Sequence, residues 1–487
     1  MDIDYVANSV LTPYKWDKTE ITYSFKSEKL YYESYSDFKG STTISNAMKL
    51  ATEEIFNYLE SFLGLKFTLS TGIGDIVLSS KYMSEENVLG YSYLPTTSST
   101  YTIAGDVYIN ANFTEDDFKV GGLGWSTILH ELGHSLGLDH PFGDGYYSSI
   151  DMHETVMSYN PYEGEDLTGY YFFANSFSTY MSADIEALQS KYGENDTISN
   201  DYYDLNELLF TKIIYGYFDR VEDDIYTLND TGGIDTISLK NIQSSSEQYI
   251  DLNPLAESII VNGDIHHYFF LSQDTMIENF LGSNSDDVII LNSTNNFTDL
   301  GLGFDRVYIE NNGSSRIDFF NGKLVVSNKE SGLDTISNAE EIFLNNEIID
   351  EQNFQRDVIH VDNYEAGTQI SRLYLGVFDR VADKEGLYYW INEYENLNDI
   401  SLIANSFVIS QEFNNIYGST QTDQEYVSLL YNNILYREPD QDGFEYWISK
   451  MQDENFSKSN VLVSFSNSQE FINLTAVYFE DDSIVVL

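Results

Sequence analysis

The stretch from His130 to His140, HELGHSLGLDH, gathers the residue types that hold a metal ion. His130 and His134 are four residues apart, so on a helix they project from one face, the spacing two imidazoles need to reach one zinc ion at about 2.0–2.1 Å. Glu131 stands beside them, placed to take a proton from an activated water. Gly137 can adopt the positive φ that ends a helix, letting the chain turn and bring His140 back as a third ligand. A bare His-Glu-x-x-His can be a structural pair of helix histidines. The full pattern is far rarer, expected by chance on the order of 10^-5 times in a chain of this composition. His153, close downstream, has no ligand spacing and reads as an ordinary loop residue.

Glu154 to Pro161 reads ETVMSYNP. A long HExxHxxGxxH pattern followed by such a Met resembles the metzincin metallopeptidases, and Met157-Ser158-Tyr159 is similar to the serralysin branch. The resemblance implies a zinc-dependent endopeptidase. In it Met157 is a hydrophobic floor beneath the metal, and Tyr159 a further zinc ligand that can swing away to hydrogen-bond the tetrahedral intermediate. KWDKTEITYSF (Lys15 to Phe25) looks like the family's opening strand and GDVYIN (Gly105 to Asn110) like its edge strand. Gly105, Asp106, Val107 and Tyr108 would then pair with an extended substrate through backbone hydrogen bonds.

The elements that must position these residues predict a multidomain chain. Residues 1–195 read as an α/β metzincin protease domain, with strand-like Ile21 to Phe25, a helix-period segment from Asn46 to Leu63, and strand-like Asp75 to Ser79. Residues 196–355 turn to short β-rich runs broken by Gly, Asn, Asp and Ser. Ile225 to Leu239 and Ile277 to Ile309 resemble the calcium-binding β-roll of the serralysins, in which glycines make the turns and Asp binds the ion. Asp287 and Asp305 are 18 residues apart, two nonapeptide periods, with Ile289 and Val307 as inward candidates. Ser283 and Ser285 stand where Gly is expected, Asn296 where Asp is, and Leu300 where another Gly is. Two readings follow: a degenerate roll with one or two calcium ions, or none, Asp287 and Asp305 being the candidate ligands, or a plain β-solenoid without ions.

Residues 360–475 form a mainly helical region with an internal repeat. Leu373 to Ile391 aligns with Leu430 to Ile448 at an offset of 57, and SQEF at Ser410 recurs at Ser468, an offset of 58. The region resembles a domain of unknown function found beside calcium-binding repeats in bacterial secreted and surface proteins. Its aromatic and Leu positions read as core, and its segment Glu438 to Ser449 mimics the start of an EF-hand but has Ser449 in place of the bidentate Glu. Residues 476–487 end in FEDDSIVVL, which resembles an uncleaved type I secretion signal; a short terminal strand is the alternative.

Composition bounds the partners. With 24 Lys plus Arg against 79 Asp plus Glu, a net charge of -55 disfavours nucleic acid and anionic lipid. The absence of cysteine excludes a disulfide scaffold, thiolate zinc sites and a thiol nucleophile. MDIDYVANSV lacks the features of a Sec leader, and no run is long and apolar enough for a membrane span. The expectation is a protease acting on protein or peptide substrates outside the cell or at its surface, exported by a type I route. The competing reading is a surface-associated structural or adhesive protein whose protease domain trims itself or a surface-layer partner.

Overall fold

A computed structural model describes residues 2–25, 41–83, 88–96, 103–141, 150–160, 175–195, 199–210, 223–263, 265–310, 313, 315–328, 332–418, 421–452 and 456–487. Pro161 and the expected boundary at Asp196 lie outside them. Packing divides the chain into two compact units, Met1–Met276 with Ser283–Asp287 and Ile277–Gly282 with Val288–Leu487. Among the described residues no helix is long and apolar enough to cross a membrane.

The first unit runs α1 (Ile3–Val10), β1 (Glu20–Phe25), β2 (Ser41–Thr42), α2 (Asn46–Phe62), β3 (Lys66–Leu69), β4 (Ile76–Lys81), β5 (Gly90–Ser92), β6 (Val107–Asn110) and α3 (Leu123–Ser135). Ser45 starts α2 by accepting the Met48 N–H, and Met48, Ala51, Ile55, Leu59 and Phe62 recur on its buried face. That face meets the sheet through Phe56, whose ring lies 4.4 Å from Tyr23 on β1 and 4.5 Å from Phe67 on β3. The strand order is β3-β1-β4-β6-β5, parallel except for β5, with β2 antiparallel to β4.

This order corrects one expectation. Gly105 to Tyr108 do not form the sheet's edge: β6 is paired on both sides, and every residue from Val107 to Asn110 is buried. A run without alternating exposure is the mark of an interior strand covered on both faces. The terminal strand of the described sheet is β5, antiparallel to β6 with Tyr91 opposite Tyr108.

The unit continues with β7 (Asn175–Phe177), α4 (Ser182–Tyr192), β8 (Tyr202–Asp204), β9 (Asp223–Leu228), β10 (Thr236–Ser238), β11 (Gln248–Asp251), β12 (Glu257–Asn262) and β13 (Ile265–Leu271). Here β7, β9, β13, β12 and β11 are neighbours in that order, and β8 pairs with β10.

In the second unit β14 (Asn279–Leu281), β15 (Asp287–Ile290), β16 (Phe297–Asp299) and β17 (Arg306–Ile309) alternate between two parallel stacks. Asn279 pairs with Phe297 and Val288 with Arg306, each 18 residues on, and the partners Ile289 and Val307 are both fully buried. The hairpin of β18 (Arg316–Phe320) and β19 (Lys323–Asn328) interrupts this coil before β20 (Gly332–Ser337) and β21 (Glu341–Leu344) rejoin the stacks. β22 (Glu347–Ile348) pairs antiparallel with β21.

After β23 (Asp357–Ile359) come α5 (Tyr364–Phe378), α6 (Lys384–Leu397), α7 (Ile400–Val408) and α8 (Gln411–Tyr417), then the second copy, α9 (Asp423–Ile434), α10 (Gln441–Met451), α11 (Lys458–Ser466) and α12 (Gln469–Leu474). The repeated residues are scaffold. Asp383 and Asp440 cap α6 and α10 by accepting the Gly386 and Gly443 N–H groups, and Ser410 and Ser468 cap α8 and α12. Arg380 donates through two nitrogens to Glu412, and Arg437 does the same to Glu470. Asp440, the EF-hand-like residue, is thus an N-cap.

Helices and strands share one core here, with Phe320, Val325 and Leu333 packed among the helical residues. Buried Arg316 fixes the join: its Nη1 donates to Asp379 at the end of α5 at 2.6 Å and its Nη2 to Tyr478 at 3.2 Å, while the Tyr478 hydroxyl donates to Asp318 on β18 at 3.0 Å.

The terminal IVVL run is not an exposed tail. Ile484–Val486 form β24, antiparallel to β23, and all three residues are buried. Leu487 N–H then donates to Ala382 O at 2.9 Å. Once an apolar triplet has a partner strand and a helix to cover it, burial outweighs the terminal freedom expected of a chain end. Ile484→Ala should therefore destabilise the second unit by about 2–4 kcal/mol, read by hydrogen exchange of α5 and α6 in urea. A loss below about 0.5 kcal/mol would remove β24 from the core.

Candidate metal centre

The helix α3 supplies His130, Glu131 and His134, and its end is a Schellman motif. Gly137 N–H donates to His134 O, and Leu138 N–H to Gly133 O, each at 2.9 Å. Gly137 has φ +97°, and a Cβ there would lie 2.2 Å from Tyr14 O, so both conformation and space require glycine. The chain leaves along the end of α1: Thr12 N–H donates to Gly137 O and Asp139 N–H to Val10 O. That path delivers His140.

The three imidazoles converge. His140 Nε2 lies 3.2 Å from both His130 Nε2 and His134 Nε2. The other ring nitrogens are anchored: His130 Nδ1–H donates to Val156 O at 2.8 Å and His134 Nδ1–H to Leu138 O at 2.9 Å. A carbonyl only accepts, so it places the proton on Nδ1 and leaves the Nε2 lone pair facing the shared point. Burial and the neighbouring imidazoles hold His130 well below its ordinary pKa and push His134 down to about 4. Neutral rings with converging lone pairs fit a cation. Nitrogens bound tetrahedrally to one zinc ion stand about 3.3 Å apart, close to the spacing seen. The hydroxyl of Tyr159, a residue 40% exposed, is 3.2 Å from His130 Nε2.

Glu131 is buried and packs against β5. A Cβ at Gly90 would lie 2.9 Å from Glu131 Cγ, and Ser92 Oγ donates to Glu131 Oε2 at 2.8 Å. Burial pushes the Glu131 carboxyl up to about 8, opposed by the Ser92 bond. Met157 is fully buried, with its sulfur where a side chain at Gly133 would be: a Cβ there would meet it at 2.7 Å. Met157 and the helix are thus fitted together through a glycine.

Sequence reasoning missed the residues that hold this set. Asp184, fully buried at the start of α4, accepts from Thr155 Oγ1, Val156 N and Met181 N, and so fixes the segment whose carbonyl orients His130. Ser92 and Gly90 were equally unmarked, because one Asp in a helix start and a Gly-Tyr-Ser triplet carry no spacing signal. His153 is no ordinary loop residue: it is buried, with Nδ1 3.2 Å from Glu257 Oε2 and its ring 4.7 Å from Tyr268.

The expected calcium residues are not brought to a three-ligand cluster among the described residues. Asp287 accepts from Ser283 N at 2.7 Å and Ser283 Oγ at 2.9 Å, so the serine that replaces a turn glycine serves the carboxylate. Asp305 is buried, and its N–H donates to Glu340 Oε2 at 2.8 Å. Asn296 donates its side-chain N–H to Ile277 O at 3.0 Å, which a carboxylate could not do. Leu300 is fully buried, and a Cβ on Gly282 would lie 2.2 Å from its carbonyl oxygen. The acidic group the fold does assemble is Asp201, Asp230 and Asp235, with one oxygen of each within 4.8 Å of the others.

Comparison with known proteins gives relatives over part of the chain. It is similar to a serralysin of Photorhabdus laumondii subsp. laumondii, 28% identical over 261 residues, 49% of this chain and 50% of the relative. A serralysin of Proteus mirabilis is 27% identical over 310 residues, 57% of this chain and 60% of the relative. The metallopeptidase AprA of Pseudomonas marginalis is 26% identical over 245 residues, 47% and 50% of the two chains. The chain spans about half the length of most of these curated relatives. Residues 404–475 match the model of a domain of unknown function, DUF4214.

Asp184 yields a pH prediction. Burial pushes its carboxyl up to about 7, so its contribution is full below the unfolded pKa and is lost as pH rises through the folded one. Asp184→Asn keeps one of the two acceptor oxygens and cannot ionise. In urea denaturation between pH 4 and 8, the wild-type chain should lose stability relative to this variant by up to about 1.4 kcal/mol per pH unit up to about pH 7, then level off. A difference independent of pH would mean that Asp184 is ionised throughout.

Proposed function

We propose that residues 1–195 act as a zinc-dependent endopeptidase on protein or peptide substrates, hydrolysing the peptide bond with an activated water and no covalent intermediate. The observation that carries this reading is the convergence of three imidazole Nε2 atoms beside a buried carboxylate on the same helix. Partial similarity to serralysins and to a metallopeptidase supports the same class.

When bound, zinc supplies a Lewis acid that acidifies water toward pKa 7 and polarises a carbonyl. His130, His134 and His140 would hold it through Nε2, with Tyr159 Oη as a further ligand. Glu131 accepts the proton of the attacking water on its carboxylate and passes it to the leaving amine, with Ser92 fixing one of its oxygens. Tyr159, partly exposed, can turn outward and donate its hydroxyl proton to the oxyanion. The strand suited to pair with an extended substrate is β5, which replaces Gly105 to Tyr108 in that role. Export to the cell exterior or surface by a type I route belongs to the same reading, with the C-terminal segment recognised before β24 folds. Calcium at Asp287 and Asp305 is supported by the resemblance alone, and the serine already bonded to Asp287 predicts that calcium readdition raises the melting temperature only slightly.

The purified chain should carry about one zinc per molecule and lose casein hydrolysis on chelation. Full activity without zinc would overturn the proposal. Glu131→Ala should retain zinc and lower kcat about 10²–10⁴-fold. Tyr159→Phe should lower kcat with a smaller change in KM, as for a group acting in the transition state. Intact casein alongside cleavage of the chain itself would favour the surface-associated, self-trimming protein instead.

A further inference from the structure

The two helical copies in the second unit are built alike but covered differently. In the first copy the groove between α5 and α6 is filled: a Cβ on Gly367 would lie 2.6 Å from Ile484 Cδ1 of β24 and 2.9 Å from Val361 Cγ2. Leu387 and Ile391 on α6 are buried beneath that cover. At the offset of 57 the corresponding residues are Gln424, Phe444 and Ile448. No residue of α10 is buried, and Phe444 and Ile448 are only half-covered. Between α9 and α10 lies an open groove of about 340 Å³, with Phe444 and Ile448 among its lining and Gln424, Gln441, Ser449 and Gln452 beside them.

We propose that this groove binds an extended peptide segment of a partner protein, with one branched aliphatic side chain seated on Phe444 and Ile448. The first copy shows what this groove shape accepts, since its counterpart is occupied by branched aliphatic side chains, Ile484 of strand β24 and Val361 just after β23. The amides of Gln424 and Gln452 can each donate and accept, matching the alternating N–H and C=O of a peptide backbone, while Gln441 already donates to Glu445. Gln424 in place of Gly367 keeps the occupant from sitting as deep as β24 does, so a single strand fits better than a paired ribbon. Glu445 lines the same groove on a chain of net charge -55, which selects neutral or basic flanking residues.

The test uses the full chain carrying Glu131→Ala, so that peptides are not cut. Immobilised, it is exposed to capped heptapeptides with lysine at both ends and a randomised central residue. Peptides with central Ile, Leu or Val should be retained, and those with central Gly, Asp or Glu should not. Ser449→Trp and Gln424→Trp plug the groove from two helices without deleting a packed side chain. Each should weaken retention at least about tenfold with the melting temperature unchanged, and Glu445→Lys should weaken it through repulsion of the lysines. Retention that ignores the central residue or survives both plugs would overturn the proposal. So would a plug-sensitive preference for oligosaccharides over peptides, or plug-sensitive self-association of the chain.

Discussion

Three imidazole lone pairs aimed at one point do not come together by themselves, and much of the first unit is arranged to hold them there. Each anchoring carbonyl works at a distance from the point itself: Val156 O fixes His130, Leu138 O fixes His134, and the α1 segment holds the turn that carries His140. Val156 is in turn held by Asp184, a buried acid on another helix. The arrangement is preorganised, so binding a cation there needs little reorganisation of the chain.

The parts of this site that were legible in the sequence are those fixed by helical spacing. His130, Glu131, His134 and Gly137 are local to one helix and its terminus, where a 3.6-residue period and one positive φ decide geometry. The same locality made the 18-residue register of Ile289 and Val307 readable, because each turn of the coil repeats the last. Asp184, Ser92 and Glu257 act across 28 to 104 residues of sequence. Contacts of that kind leave no periodic trace. Strand order is a similar case, since nothing within GDVYIN records that β5 pairs outside it.

Two misleading signals had a common origin. The Asp-x-Asp-Gly of Asp440 to Gly443 imitates a calcium loop because caps and cation loops both use short carboxylates facing backbone N–H groups near a glycine. The helix that follows decides between them. In the same way the terminal acids and apolar residues look like a detached tail in one dimension, while β23, more than a hundred residues earlier, waits to pair with them.

The Arg316 cluster has a consequence for how this architecture can be divided and inherited. Its guanidinium is shared between the end of α5 and Tyr478 after α12, while Tyr478 also holds Asp318 of the β18–β19 hairpin. A graft of residues 404–475 alone would begin inside α7, leave out the whole of α5 and α6, and abandon these partners. The transferable cassette is larger than the recognisable motif. A graft that keeps these contacts must carry the β18–β19 hairpin together with the helices.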